Sequence, residues 1–285
     1  MAETPGLLFV HPHPDDESIA CGGTIARYVD EGLRVRVVTC TGGEEGENLS
    51  GIDLGDEEMP RVRSRELADA LALLNVTDHA LLGYRDSGMA GAPSNDHPGS
   101  FHRAELDAAA GRLAAMIREF RPDVVVSDDE RGTYGHPDHI KAHQVAVRAV
   151  EMAADASAPV DGAPWQVRKR YVVAFPRERL VEMHTRLLAL GLASPFGDAP
   201  APSSEEVPFG VPVADVTTRL DVTPWIARKR GAMAAHASQV GQDSFFLNIP
   251  DELWGEVFGT EWYVRAEGPG PTGSEQEDDL VAGLR

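Results

Sequence analysis

Leu7-Leu8-Phe9-Val10-His11-Pro12-His13-Pro14-Asp15-Asp16-Glu17 sets the fold. A short continuous apolar run that ends abruptly in a polar cluster is the pattern of a strand buried on both faces of a parallel sheet, with a loop at its carboxyl end. Ser18 to Asp30 follows with Ile19, Ile25, Ala26 and Val29 at roughly helical spacing, and Gly32 stands where a helix would stop. Leu33 to Cys40 is a β-branched run and reads as the second strand. Strand, crossover helix and strand form the repeating unit of a Rossmann-like α/β fold, a mostly parallel sheet flanked by helices.

The alternation continues along the chain. Pro60 to Leu74 reads as a helix, Ala80 to Leu82 as an apolar segment, Leu106 to Phe120 as a strongly periodic helix, Pro122 to Ser127 as a Val-rich strand and His139 to Ala154 as an amphipathic helix. Tyr84 to His102 is long for a connector, and irregular stretches of that length are more often binding elements than spacers, so it is expected to border the site. In the second half Arg170 to Phe175 looks like a strand, Glu178 to Leu190 and Thr223 to Ala237 like helices, and Gly191 to Pro208 like a linker or lid. The expected organisation is a single α/β domain over residues 1–265, with a smaller irregular C-terminal portion from about 165 acting as a subdomain or lid. From Ala266 the chain turns to Gly, Pro, Ser and acidic residues, the composition of a mobile polar tail. There is no internal repeat.

With 285 residues, 42% of them hydrophobic, the chain can bury one large core, and disorder is not expected. The 46 Asp and Glu outnumber the 26 Lys and Arg, for a formal charge of -20, which repels phosphate backbones and anionic lipid and so argues against nucleic acid or membrane as a partner. Two cysteines, Cys21 and Cys40, are too few for a disulfide framework in a chain this long and read as small buried apolar residues. The start of the chain lacks the basic stretch and long apolar run of a signal peptide, and no window reaches membrane-spanning length, so a cytoplasmic location is expected. The Gly22-Gly23 and Gly42-Gly43 pairs lack the spacing of a dinucleotide or P-loop fingerprint.

Chemistry is concentrated in two clusters. The segment from His11 to Glu17 puts two imidazoles and three carboxylates at the carboxyl edge of the inferred sheet, where open α/β sheets bind ligands. A catalytic zinc site takes nitrogen and oxygen donors and keeps one position open; His13 and Asp16 can supply two donors from one turn, leaving Asp15 and Glu17 for other work. Tyr134-Gly135-His136-Pro137-Asp138-His139 follows the strand at Val124 to Val126 and leaves the same edge, so one of its histidines would complete a His, Asp, His set; His139, at the start of the next helix, is best placed. A single His-Pro-Asp is often only a turn or helix cap. Two such clusters at equivalent topological places point to a metal site instead. His11 reads as a hydrogen-bonding neighbour of the site, and His143, four residues after His139, as structural.

His-Pro-Asp-Asp-Glu at 13–17 together with Gly-His-Pro-Asp-His at 135–139 resembles the PIG-L/LmbE-like zinc-dependent N-acetylglucosaminyl deacetylases, over most of the chain. Gly43-Glu44-Glu45-Gly46-Glu47, Arg85-Asp86-Ser87-Gly88-Met89, Ala235-His236-Ala237 and Asp279-Leu280-Val281-Ala282-Gly283-Leu284 are similar to the actinobacterial mycothiol-pathway branch. The resemblance implies that His13, Asp16 and His139 ligate zinc, with iron(II) able to take the same ligands, and that Asp15 is the general base. It further implies that His136 and Tyr134 face the developing oxyanion, that Arg63 and Asp86 hold sugar and inositol hydroxyls, and that Glu47 helps line the pocket. Bound zinc lowers the pKa of water from about 15.7 to about 7, so a neighbouring carboxylate can complete its deprotonation.

The activity so implied is removal of the acetyl group from N-acetylglucosaminyl-inositol, a small-molecule substrate. The alternatives are a mycothiol S-conjugate amidase, a deacetylase of an antibiotic intermediate, and a sugar- or thiol-binding protein without catalysis. The amidases carry a lysine close after the first motif where this chain has Ile19 and Ala20, whereas His143-Gln144 and Arg177 to His184 are similar to them. Intact metal and base positions speak against a non-catalytic binder.

Overall fold

The first apolar run is strand β1, Gly6–His11, buried at every residue. The computed structural model describes residues 4–51, 53–55, 57–241, 244–270 and 276–284. After β1 come α1 (Asp16–Asp30), β2 (Arg34–Thr41), α2 (Met59–Leu73), β3 (Asp78–Tyr84), α3 (Leu106–Phe120) and β4 (Val124–Ser127). The chain goes on through α4 (Gly132–Gly135), α5 (Pro137–Ala154), β5 (Lys169–Ala174), α6 (Arg177–Ala189) and β6 (Thr218–Asp221), and ends its regular structure with α7 (Ile226–Ala235), α8 (Phe245–Asn248), α9 (Asp251–Phe258) and β7 (Thr260–Glu267).

The strands form a seven-stranded sheet in the order β3-β2-β1-β4-β5-β7-β6. β1 pairs in parallel with both β2 and β4, and β3 and β5 extend the parallel part at each side. The chain therefore reverses its direction of progress across the sheet between β1 and β4, the switch point at which such folds open a crevice beyond the strand ends. β7 then runs antiparallel between β5 and β6. These two antiparallel strands go beyond the sequence expectation; the interleaved polar residues in Thr260–Glu267 and the short Thr218–Asp221 fit strands only partly buried.

Each face of the sheet has its own core. One packs Leu7, Phe9 and Val37 under Ile25 of α1, Leu67 and Leu71 of α2 and Ala232 of α7. The other packs Leu8, Val10 and Val125 under Leu113 and Ile117 of α3 and Val145 and Ala149 of α5. The Gly22-Gly23 pair serves close packing: a Cβ on Gly23 would lie 2.5 Å from the Cβ of Val222, so only glycine lets that chain segment approach α1.

The expectation of a mobile tail from Ala266 is corrected for the described part of it. Leu280 and Val281 are completely buried in the first core, each worth on the order of 1.5–3 kcal/mol of apolar burial. Glu277 accepts hydrogen bonds from Lys169 Nζ at 2.6 Å, Tyr171 Oη at 2.6 Å and Thr218 Oγ1 at 3.0 Å. A charged, glycine-rich composition is compatible with order here because the carboxylate is matched by a buried lysine and the apolar residues behind it return to the sheet. Residues 271–275 and 285 of that expected tail, and residues 1–3 of the N-terminal stretch, lie outside the described residues. Among the described residues no helix is long and apolar enough to cross a membrane.

Candidate metal centre

The two His- and Asp-rich clusters leave the sheet side by side, from β1 and β4, at the switch point. In the first, Thr41 at the end of β2 donates its N–H and its hydroxyl to Pro12 O, at 3.0 and 2.9 Å, which pins the loop. His13 N–H donates to Asp16 Oδ2 at 2.9 Å, folding the carboxylate back toward the imidazole. Asp15, between them, has φ 128°, a conformation costly for a residue with a Cβ. Its N–H donates to Glu17 Oε2 at 3.0 Å, and Arg63 clamps the same turn from outside, donating to Pro14 O at 2.6 Å and Asp15 Oδ2 at 3.1 Å.

In the second cluster His136 caps α5: its Nδ1 accepts the Asp138 N–H at 3.1 Å, which puts the hydrogen of the neutral ring on Nε2. The preceding turn is strained, with Thr133 at φ 59° and ψ -80°, and is tied down by Thr133 N–H to Asp129 Oδ1 at 2.9 Å and Thr133 Oγ1 to Asp128 Oδ1 at 3.2 Å. Tyr134 projects from it, half exposed, with its ring centroid 5.3 Å from that of His139.

These elements bring one donor atom each of His13, His136 and His139 within 4.8 Å of one another, all buried. Asp16 Oδ2 lies 3.4 Å from His13 Nδ1 and 3.6 Å from His139 Nε2, so this carboxylate stands beside both histidines with which the sequence reading grouped it. The opposite ring nitrogen of His13 faces more carboxylate: Asp138 Oδ2 at 3.3 Å and Asp86 Oδ1 at 3.4 Å. Burial opposes a charge on His13, yet Asp138, Asp16 and Asp86 overcome it and raise the imidazole well above its ordinary value. Burial likewise opposes ionised Asp16, and the facing His139 and His13 hold it well below the carboxylate range. So much negative charge around buried imidazoles is the chemistry of a cation site.

The test of fit is His139. Its Nδ1 lies 2.8 Å from Asp128 Oδ1, while its buried Nε2 has no hydrogen-bond partner. Burial opposes a charge on His139, but Asp16 and Asp128 raise the imidazole above its ordinary value. Once Nε2 is deprotonated, with Nδ1–H donating to Asp128, its lone pair is directed at the cluster, the arrangement in which a histidine binds a divalent ion. The donor set present fits a metal of the zinc or iron(II) type.

Asp15 is in the same cavity, its carboxyl pushed up to about 6, chiefly by burial and against the pull of Arg63. His136 is driven the other way, to about 4, by burial and by the charges of His13 and His139. Burial and the nearby Asp16 push the Tyr134 phenol up, so it keeps its proton. At neutral pH the cavity therefore holds an ionised carboxylate of raised basicity beside two neutral hydrogen donors.

Arg63 and Asp86 both line the cavity, as expected of substrate contacts, but both are also engaged internally. Arg63 braces Gly43 O at 3.1 Å besides the Asp15 turn, and Asp86 accepts from Gly88 N–H at 2.8 Å. Glu47 is not brought to the cavity: Glu45 and Gly46 line the wall instead, while Glu47 is exposed and its backbone oxygen accepts from Gln239 Nε2 at 3.0 Å. His11 is buried with Nε2 unpartnered, and His143 Nδ1 faces Asp128 O at 2.9 Å. Cys21 and Cys40 are buried free thiols.

Three participants escape the sequence reading. Asp128, directly after β4, carries no local sign that it will face His139 on the next helix. Asp138 reads in sequence only as part of a motif; it is fully buried and bound by Ser87 N–H at 2.8 Å and the Ser87 hydroxyl as well as facing His13. Glu17 pairs with His236 Nε2 at 2.7 Å, both buried, beneath the Asp15 turn.

The family described as PIG-L, GlcNAc-PI de-N-acetylase, matches residues 8–150. The chain is 45% identical over 295 residues to a Geodermatophilus obscurus protein named 1D-myo-inositol 2-acetamido-2-deoxy-alpha-D-glucopyranoside deacetylase, covering 100% of this chain and 99% of that one. A Streptomyces avermitilis protein of the same name is 45% identical over 288 residues, covering 98% and 97%. Among solved structures, a conserved protein from Thermus thermophilus superposes with a TM-score of 0.58 at 26% identity, over 93% of this chain and 96% of that one.

Proposed function

The chain belongs to the PIG-L family of de-N-acetylases, and from that premise we propose that it hydrolyses the acetamide of N-acetylglucosaminyl-inositol, the amide-cleaving step of mycothiol biosynthesis. The observation that carries the reading is the placement of the Asp16 carboxylate against both His13 and His139, beside an Asp15 whose carboxyl is held at about 6.

His13, Asp16 and His139 would hold a divalent ion, zinc for preference, with Asp128 orienting His139 through Nδ1. When bound, such an ion polarises the amide carbonyl and acidifies a water molecule. The chain's own residues do the rest. Asp15, basic enough to accept a proton near neutrality, takes it from the attacking water and returns it to the departing nitrogen, so one carboxylate serves both halves of the reaction. The neutral His136 donates from Nε2 and Tyr134 from its hydroxyl to the oxygen on which charge develops. Arg63 and Asp86, on the β2–β3 side, hold sugar and inositol hydroxyls, with Glu45 in the place foreseen for Glu47. Two buried free thiols accord with a reducing cytoplasm.

The test is to load the protein with zinc or iron(II), supply N-acetylglucosaminyl-inositol and measure free amine and acetate in equal amounts. Full metal occupancy with release of neither product rejects the proposal.

A further inference from the structure

The cavity at the metal centre is far larger than an acetyl group requires, about 680 Å³, and its two sides differ in kind. On the β2–β3 side of His13 it offers Glu45, Arg63 and Asp86. On the β5–β7 side it is walled by Phe175 after β5, Phe196 and Phe209 from the segment between α6 and β6, Phe246 of α8, Phe258 of α9 and Trp262 of β7. Phe196 and Phe209 stack with centroids 6.0 Å apart, and Phe246 and Phe258 meet at 6.0 Å. All six are only partly buried, so each keeps apolar surface open. The charges on this side are matched: Lys229 Nζ is 2.7 Å from Glu261 Oε1, and Arg179 pairs with Glu182.

The amide carbonyl must sit between these sides, at the switch point. With the amino sugar on the hydrogen-bonding side, its acyl substituent is directed at the aromatic side, where acetyl would place a single methyl. Resting on the deacetylase reading for the polar half, we propose that the aromatic arm is an acyl subsite, and that the protein cleaves amino-sugar amides whose acyl group is an apolar chain of several carbons or carries an aromatic ring. Water adds its oxygen to the carbonyl carbon, the C–N bond breaks, and the proton taken from water goes to the nitrogen, giving a fatty or aryl-substituted carboxylate and a free amine.

The experiment compares N-acetyl-, N-butyryl-, N-hexanoyl- and N-phenylacetyl-glucosaminyl-inositol with the zinc-loaded protein. Burial of each methylene should raise kcat/KM roughly fourfold over the first few carbons. In Phe209→Ala and Phe246→Ala the hexanoyl-to-acetyl ratio should fall about fourfold or more, the loss of at least one methylene's worth of burial. Calorimetric titration of the metal-free protein with N-hexanoyl- and N-acetylglucosamine reads the arm without chemistry, and the hexanoyl compound should bind more tightly. Hydrolysis confined to acetyl, or a ratio unmoved by both variants, overturns the acyl subsite and leaves the deacetylase reading standing. Hydrolysis of no amide rejects that reading instead, and equal binding of the two sugars in the titration then overturns the arm as well.

Discussion

His139 Nδ1 lies 2.8 Å from Asp128 Oδ1, and the other oxygen of Asp128 is buried without a hydrogen-bond partner. The pair fixes which nitrogen of His139 faces the cluster, and such partners typically carry about 10–100-fold in metal affinity or activity. Asp128→Asn keeps the shape and removes the charge. We expect zinc affinity, read by competition with a chromophoric chelator, to drop about 10–100-fold. An affinity within twofold of the parent would show that His139 needs no such partner.

Asp15→Asn should lower kcat about 10²–10⁴-fold while the zinc content stays near one per chain. The pH profile carries the same test. The base works ionised, and its carboxyl is raised to about 6, so activity should climb with pH and level off above that value; a bound cation shifts the rising limb lower. A profile falling from pH 5 to 7 would contradict this assignment.

For His136 the structure permits two roles, since its donor atom lies within 4.8 Å of those of His13 and His139. As a neutral donor it should cost turnover and not metal. His136→Ala is expected to lose about 10²–10³ in kcat, some 2.7–4 kcal/mol, with zinc retained. Loss of zinc in proportion to activity would make it a ligand.

Beneath the base, burial would raise Glu17, but His236 and three hydrogen bonds lower it from 4.5 to about 2. Because the folded value is the lower one, its contribution, on the order of 3 kcal/mol, is complete above pH 4.5 and is lost as pH falls from there toward 2. His236 is raised by the same pair despite its burial, so its share is present below 6.5 and is lost as pH rises through the raised value. His236→Ala strands a buried carboxylate and should cost about 3–5 kcal/mol in urea unfolding at pH 7. A loss under 1 kcal/mol would show Glu17 to be solvated.

Legibility followed the range of the interactions. Leu7 to Val10 and Val124 to Val126 announce buried parallel strands because every side chain in them must be apolar, whatever lies beside them. The Leu106 to Phe120 helix was legible to the residue, since its period is local. The return of Leu280 and Val281 to the core was not, because burial of Glu277 is made tolerable by residues distant in sequence, Lys169 and Tyr171 of β5 and Thr218 of β6, together with Arg265 of β7. The aromatic arm was equally hidden: its six residues come from segments that acquire a common face only when β7 runs back beside β5.

The chain's own order of residues determined the parallel half of the sheet and the two motifs at its carboxyl edge, since each depends on neighbours within a strand or a turn. Tertiary structure alone decided that Asp128, Asp138 and Asp86 surround those histidines, that Glu47 stays outside, and how wide the cleft is. Electrostatic and packing partners are set by distance in space, and a linear pattern does not encode that distance until the sheet has closed around it.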